Sequence, residues 1–240
     1  MSIRNNASAW KLRNFSTQLT GLYSTPLPRE VVPELLDSLP HDDPRARQSR
    51  AELRFINGLM GNHRWLCRAL TEQGLRLKRV LELGAGDGAL ARRVWSTGLA
   101  LPAQWSALDL APAPEDWPEE ATWYQCDLFT MPQLPDAEII VANLFLHHFQ
   151  EHQLHALGQC LPESCRVIIA CEPVRRRVHE LQGRLLSAVV NLSPVTRHDM
   201  AVSIRAGFRG DELQQALSLT GWQTKVSHTA FGACRFLAWR

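Results

Sequence analysis

The chain has 240 residues, 45% hydrophobic and 21% charged, which is ordinary globular material sufficient for one α/β domain and a modest extra element. Lys and Arg number 26 against 24 Asp and Glu, and the formal net charge of +2 excludes a general appetite for nucleic acid or acidic membrane. No run of 18 apolar residues occurs, which excludes a helical membrane span. The opening MSIRNNASAWKLRNF has no apolar core of signal-peptide length. Cys67, Cys126, Cys160, Cys165, Cys171 and Cys234 are scattered without a C-x-x-C pair, so they read as reduced thiols of a cytoplasmic protein. A zinc site built from Cys160, Cys165, Cys171 and a histidine is the weaker reading, and no metal is expected.

Residues 1–75 read mostly as helix, a cap ahead of a second unit at 76–240. After a weak first segment, Pro26, Pro28 and Pro33 punctuate a loop, and Asp42, Asp43 and Pro44 signal a helix start. From Arg45 to Leu70 the apolar positions Leu53, Ile56, Leu59, Met60, Trp65, Leu66 and Leu70 recur at spacings of three and four. Arg45, Arg47, Arg50 and Arg54 fall on the polar side and read as a solvated face. No Gly- or Ser-rich linker follows, so this segment is expected to pack against the core.

Arg79 to Leu83 reads as a short buried strand. It runs into VLELGAGDG, residues 80–88, with Gly84, Gly86 and Gly88 at alternate positions, and a helix from Ala89 to Trp95 follows. Strand, glycine-rich turn and helix in that order open a nucleotide-binding βαβ unit. Gly84, Gly86 and Ala89 also satisfy the dinucleotide pattern G-x-G-x-x-A. Charge argues against that reading, because Glu82 and Asp87 would face the pyrophosphate. Two carboxylates suit a ligand with an ammonium, a sulfonium or ribose hydroxyls.

At this point the chain resembles the class I S-adenosylmethionine-dependent methyltransferases, whose first motif is an acidic residue followed by G-x-G-x-G. The resemblance implies a doubly wound, Rossmann-like sheet of seven mostly parallel strands ending in an antiparallel hairpin. It implies S-adenosyl-L-methionine as cofactor, held by Glu82, Gly84, Ala85, Gly86, Asp87 and Gly88. In the family N-terminal helices often cover the substrate, and Asn62, Arg64 and Trp65 in GNHRWL are the candidates here.

The second strand, Gln104 to Leu110, brings Asp109 to its carboxyl end about 25 residues past Gly84, near the spacing at which such domains place an acid on the ribose. Asp109 and Leu110 join the expected cofactor site. Pro112, Pro114 and Pro118 make the next stretch a loop. A third strand, Thr122 to Cys126, leads to Asp127 and Leu128, which match the family's adenine-binding positions, with Phe129 beside them. The fourth strand, Ala137 to Asn143, is nearly all apolar and ends at Asn143, where ligands of open α/β sheets bind. His147 and His148 follow in LFLHHF, as candidates for a general base.

A helix from Glu151 to Leu161 leads to a fifth strand, Arg166 to Cys171, and Glu172-Pro173. Arg175, Arg176 and Arg177 begin a helix and read as solvated. Residues 191–210 read as a long connection that could close over an active site, with Arg197, His198, Asp199 and Arg205 as polar candidates and Arg197 and Arg205 on the acceptor. Asp211 caps the next helix. Trp222 to His228 and Cys234 to Trp239 alternate as two antiparallel strands around Gly232.

The expected activity is methyl transfer to oxygen or carbon of a small molecule, such as an aromatic or phenolic metabolite, by a monomer or homodimer with no nucleic-acid or membrane partner. A nucleic-acid methyltransferase is an alternative, but the family's signature of a polar residue, Pro-Pro and an aromatic is replaced by Ala142-Asn143-Leu144-Phe145. A nicotinamide-dependent oxidoreductase and a cofactor-binding protein without turnover are the others.

Overall fold

The structure, a computed structural model, describes residues 27–40, 42–74 and 78–240. The weak first segment with Pro26, and the expected boundary at 75/76, lie outside the described residues. Two helices lead the described chain, α1 (Pro44–Met60) and α2 (Asn62–Glu72). Then come β1 (Val80–Leu83), α3 (Ala89–Ser96), β2 (Trp105–Asp109), β3 (Thr122–Gln125), β4 (Ile139–Asn143), α4 (Glu151–Gln159) and β5 (Val167–Pro173). The chain continues with α5 (Arg177–Val190), α6 (Pro194–Ala206), α7 (Glu212–Ala216), β6 (Gln223–His228) and β7 (Ala233–Trp239).

The strands form one sheet in the order β3-β2-β1-β4-β5-β7-β6. β1 to β5 are parallel, while β7 runs antiparallel to both β5 and β6. β5 is buried throughout and β4 nearly so, as the apolar runs at 167–171 and 139–142 require for parallel strands covered on both faces. Alternation along β1 sends Leu81 and Leu83 into one core, with Leu108, Ile140, Ile168 and Phe236. Val80 points into the other core, where Trp105, Val141 and Ile169 meet Leu66 and Leu70 of α2 and Leu90 and Val94 of α3. The strand order reverses between β1 and β4, so a crevice opens at their carboxyl ends.

The apolar run from Arg45 to Leu70 falls on two helices, because Gly61 adopts a left-handed φ of 67° and its N–H caps Asn57 and Gly58. Three expectations are corrected. Residues 191–210 are no open connection but mostly α6; Ser193 accepts the N–H of Thr196 and Pro194 takes the first turn. Asp211 makes no capping bond and instead accepts from the Gln215 side chain. Arg175 is buried and not solvated, forked onto both carboxylate oxygens of Glu212 at 2.6 and 3.0 Å.

Candidate functional site

The glycine turn leaves β1 at the switch point and enters α3. Its three glycines all have positive φ, 65° at Gly84, 59° at Gly86 and 71° at Gly88, yet serve different ends. A Cβ on Gly84 would lie 2.1 Å from the Phe145 ring, and one on Gly88 would lie 2.7 Å from Trp117. Those two positions are glycine because aromatic rings cover them. A Cβ on Gly86 would meet nothing within 4 Å, so that side of the turn borders open space. Gly84→Ala is therefore expected to destabilise the fold by roughly 2–5 kcal/mol, combining overpacking with a left-handed alanine. At about 2–4 °C per kcal/mol for a chain of this size, a thermal melt should fall by roughly 5–15 °C. A melting temperature equal to wild type would show that Phe145 does not sit on Gly84.

Three acids surround the turn in different states. Asp109, at the end of β2, accepts the N–H of Gly86 at 2.7 Å and that of Ala111 at 2.8 Å, so one carboxylate pins the turn to the sheet. Burial raises its pKa, against the pull of those N–H groups. Glu82 points into the core beneath the turn and accepts the indole N–H of Trp105 at 3.0 Å. Burial pushes Glu82 up to about 8, with the charges of Asp109 and Asp87 adding to it and the Trp105 bond opposing, so it is mostly protonated at neutral pH. Asp87 faces outward, accepts the N–H of Ala89, and pairs with Arg54 of α1 at 2.8 Å. That exposed pair contributes little stability. Its value is positional: it joins the N-terminal helices to the turn.

Asn143 ends β4 inside a polar cluster from the α1–α2 junction. Its Nδ2 donates to Asn57 Oδ1 at 3.1 Å and lies 3.4 Å from His63 Nε2, and Asn62 Nδ2 donates to Asn57 Oδ1 at 3.0 Å. The Oδ1 atoms of Asn143 and Asn62 are buried without a hydrogen-bond partner among the described residues. Two orphaned acceptors here fit a ligand that brings N–H groups. Burial and the charge of Arg93 lower the pKa of His63, against the pull of Asp87, which favours the neutral imidazole.

His147 and His148 end a 3-10 turn at Leu146–His148. His147 is 2% exposed, and its Nδ1 donates to Glu172 Oε2 at 2.8 Å. Burial opposes its charge, but the hydrogen bond to Glu172 and the charges of Glu172 and Glu34 outweigh burial and raise it to about 9. A ring that already carries its proton is no general base. His148 has a side chain 23% exposed, 3.4 Å from Asp37.

The structure thus brings together Glu82, Gly84, Ala85, Gly86, Asp87, Gly88, Asp109 and Asn143 at one sheet edge. Asp127 caps its own turn by accepting the N–H of Phe129. Leu128 is buried in the core and offers no surface to a ring, while Leu110 is 72% exposed. Arg64 is exposed, and Trp65 packs under the guanidinium of Arg235, 5.7 Å away. Arg197 and Arg205 are not in the crevice. Arg205 pairs with Glu180 of α5 at 2.9 Å and both arginines line a cleft between α5 and α6 that contains no residue of the glycine turn. Sequence reasoning passed over His63, which lies between the quoted Asn62 and Arg64, and over Arg54, Glu34 and Glu172. Of these only Glu172 carried a signal, as an acid at the carboxyl end of a buried strand.

A scan of protein-family models and a search of curated proteins find no match. Solved structures do match. The plantazolicin methyltransferase BamL, in complex with a triazolic desmethylPZN analog and SAH, superposes with a TM-score of 0.62 at 12% identity, over 85% of this chain and 92% of its own. The plantazolicin methyltransferase BpumL with SAH gives 0.58 at 14%, over 83% and 91%. The methyltransferase domain of bacterial CtHen1 gives 0.53 at 13%, over 75% and 97%. The likeness is one of architecture, and it agrees with the strand order and hairpin described above: the chain has the fold of the class I S-adenosylmethionine-dependent methyltransferases.

Proposed function

We propose that this protein is an S-adenosylmethionine-dependent methyltransferase acting on a small-molecule acceptor. The observation that carries the reading is the glycine turn at the switch point, pinned by Asp109 through the N–H of Gly86 and open at Gly86 alone. Asp109 has lone pairs left for ribose hydroxyls, and the orphaned oxygens of Asn143 and Asn62 suit an ammonium group. Asp87, whose carboxylate lies within the turn, disfavours the pyrophosphate that a nicotinamide cofactor would bring. When bound, the cofactor supplies an electrophilic methyl group; the task of the chain is to align an acceptor and exclude water.

Several features support a small acceptor. The α1 helix is tied to the turn through Arg54 and Asp87, which restricts access from that side. BamL was solved with a triazolic desmethylPZN analog in place. Where the acceptor must lose a proton, His63 is the neutral imidazole beside Asn143. No helix among the described residues is long and apolar enough to cross a membrane. All six cysteines are free, in keeping with a reducing compartment.

Calorimetry with S-adenosylhomocysteine tests the assignment of Asp109. Asp109→Ala is expected to cost roughly 1.5–3 kcal/mol of affinity, the range for hydrogen bonds to a charged group. Asp109→Asn keeps one acceptor oxygen and should lose less. Equal affinity in wild type and Asp109→Ala would remove Asp109 from the cofactor site.

A further inference from the structure

Next to the glycine turn, three separate segments converge on a buried cluster whose description needs no methyltransferase activity. Glu34 comes from the extended chain before α1, His147 and His148 from the turn after β4, and Glu172 from β5. The Glu172 carboxylate accepts the backbone N–H groups of Phe145, Leu146 and His147 as well as Nδ1 of the His147 ring, so that ring is held in one orientation. Its other nitrogen, Nε2, is buried and has no hydrogen-bond partner among the described residues. It faces Glu34 Oε1 across 3.5 Å, too far for a good N–H···O bond.

A gap of this size also suits two atoms that share one ion, which would displace the proton held at Nε2. Ligands about 2.1 Å from a tetrahedral ion stand about 3.4 Å apart. One ligand atom from each of Glu34, His147 and His148 lies within 4.8 Å of the others. We propose that Glu34, His147 and His148 form a binding site for a divalent transition-metal ion of the zinc type.

The surroundings have the form such a site requires. A histidine ligand normally donates its second ring N–H to a carboxylate, and Glu172 takes that part for His147. The Ser203 hydroxyl donates to Glu34 Oε1, and Asp37 stands 3.4 Å from Nδ1 of His148. Two imidazoles and one carboxylate are a ligand set that holds zinc with a position left over. His148 is the most exposed of the three, so drawing the set onto one ion falls to that side chain. The remaining position faces solvent on that side and would take water or an oxygen of a small ligand. The same three groups without an ion are a buried histidine ion-paired with Glu34 and Glu172, which is the outcome the test separates.

Full-length protein stripped with chelator is titrated with zinc chloride by calorimetry and with Co2+ by visible absorption. The expected result is one ion per chain, with a Co2+ spectrum free of thiolate charge transfer, which separates this site from the six cysteines. His148→Ala and Glu34→Gln should each weaken Zn2+ binding by 10–100-fold or more, and His155→Ala, on the exposed face of α4, should leave it unchanged. Folding of each variant is checked by circular dichroism. Failure to bind one ion per chain, or equal affinity in both ligand variants, overturns the proposal. Zn2+ binding retained by Asp109→Ala keeps the fate of this site distinct from that of the cofactor site.

Discussion

Gly86→Val is expected to abolish detectable binding of S-adenosylhomocysteine while the protein stays folded. The three glycines of the turn differ in what covers them. At Gly84 and Gly88 an added side chain meets Phe145 or Trp117, but at Gly86 it meets nothing within 4 Å. A valine there therefore projects into the space that a cofactor would use. Its cost to folding is the left-handed conformation, φ 59°, roughly 1–2 kcal/mol for a residue with a Cβ and more for a branched one. Its cost to binding is steric overlap in a rigid cradle, and a loss of at least about 100-fold, roughly 3 kcal/mol, is expected. Differential scanning and calorimetry on the same sample read the two effects. A folded variant that binds as well as wild type would make the open position at Gly86 irrelevant to the ligand.

Glu82→Gln is expected to stabilise the protein at alkaline pH and to leave it unchanged under acid conditions. In the folded chain Glu82 ionises near 8, against an ordinary value of 4.5. The sign follows from proton linkage: between these values the unfolded state has released a proton that the folded state still holds. The stability associated with the protonated form is complete below about 4.5 and is lost as pH rises through about 8. A glutamine keeps an oxygen for the Trp105 indole N–H but has no charge to bury. The gain of the variant over wild type should grow from nothing near pH 4.5 to roughly 3–5 kcal/mol above pH 8, by the conversion of 1.36 kcal/mol per unit. Denaturant unfolding of both proteins at pH 5, 7 and 9 measures it. Parallel curves at all three would mean that Glu82 is already ionised in the folded protein.

The parts that sequence made legible are those whose signal is local. β1, its glycine turn and α3 follow each other within 17 residues, and each carries its own pattern of burial or positive φ. Asp109 was legible through spacing, and its bond to the N–H of Gly86 supplies the physical link. α6 was not legible because its buried face is partly polar: Thr196 and Asp199 are as deeply buried as Val195 and Ile204. Asp199 is inside because its two oxygens accept the backbone N–H groups of Leu35 and Leu36, a partnership across more than 160 residues. No periodicity records such a bond. The same holds for Glu34, His147 and Glu172, which the fold unites from positions far apart. The expected acceptor arginines failed for a related reason. Arg197 and Arg205 lie on the face of α6 toward α5, and their charges serve that cleft.

Titration of the wild-type protein with S-adenosylhomocysteine, set beside the same titration with NADH, tests the central claim most directly. The account predicts one S-adenosylhomocysteine bound per chain, with a rise in melting temperature as the ligand is added, and no binding of NADH. Binding of NADH with no response to S-adenosylhomocysteine would contradict it, and would return the glycine turn to the dinucleotide reading that the charge of Asp87 argues against.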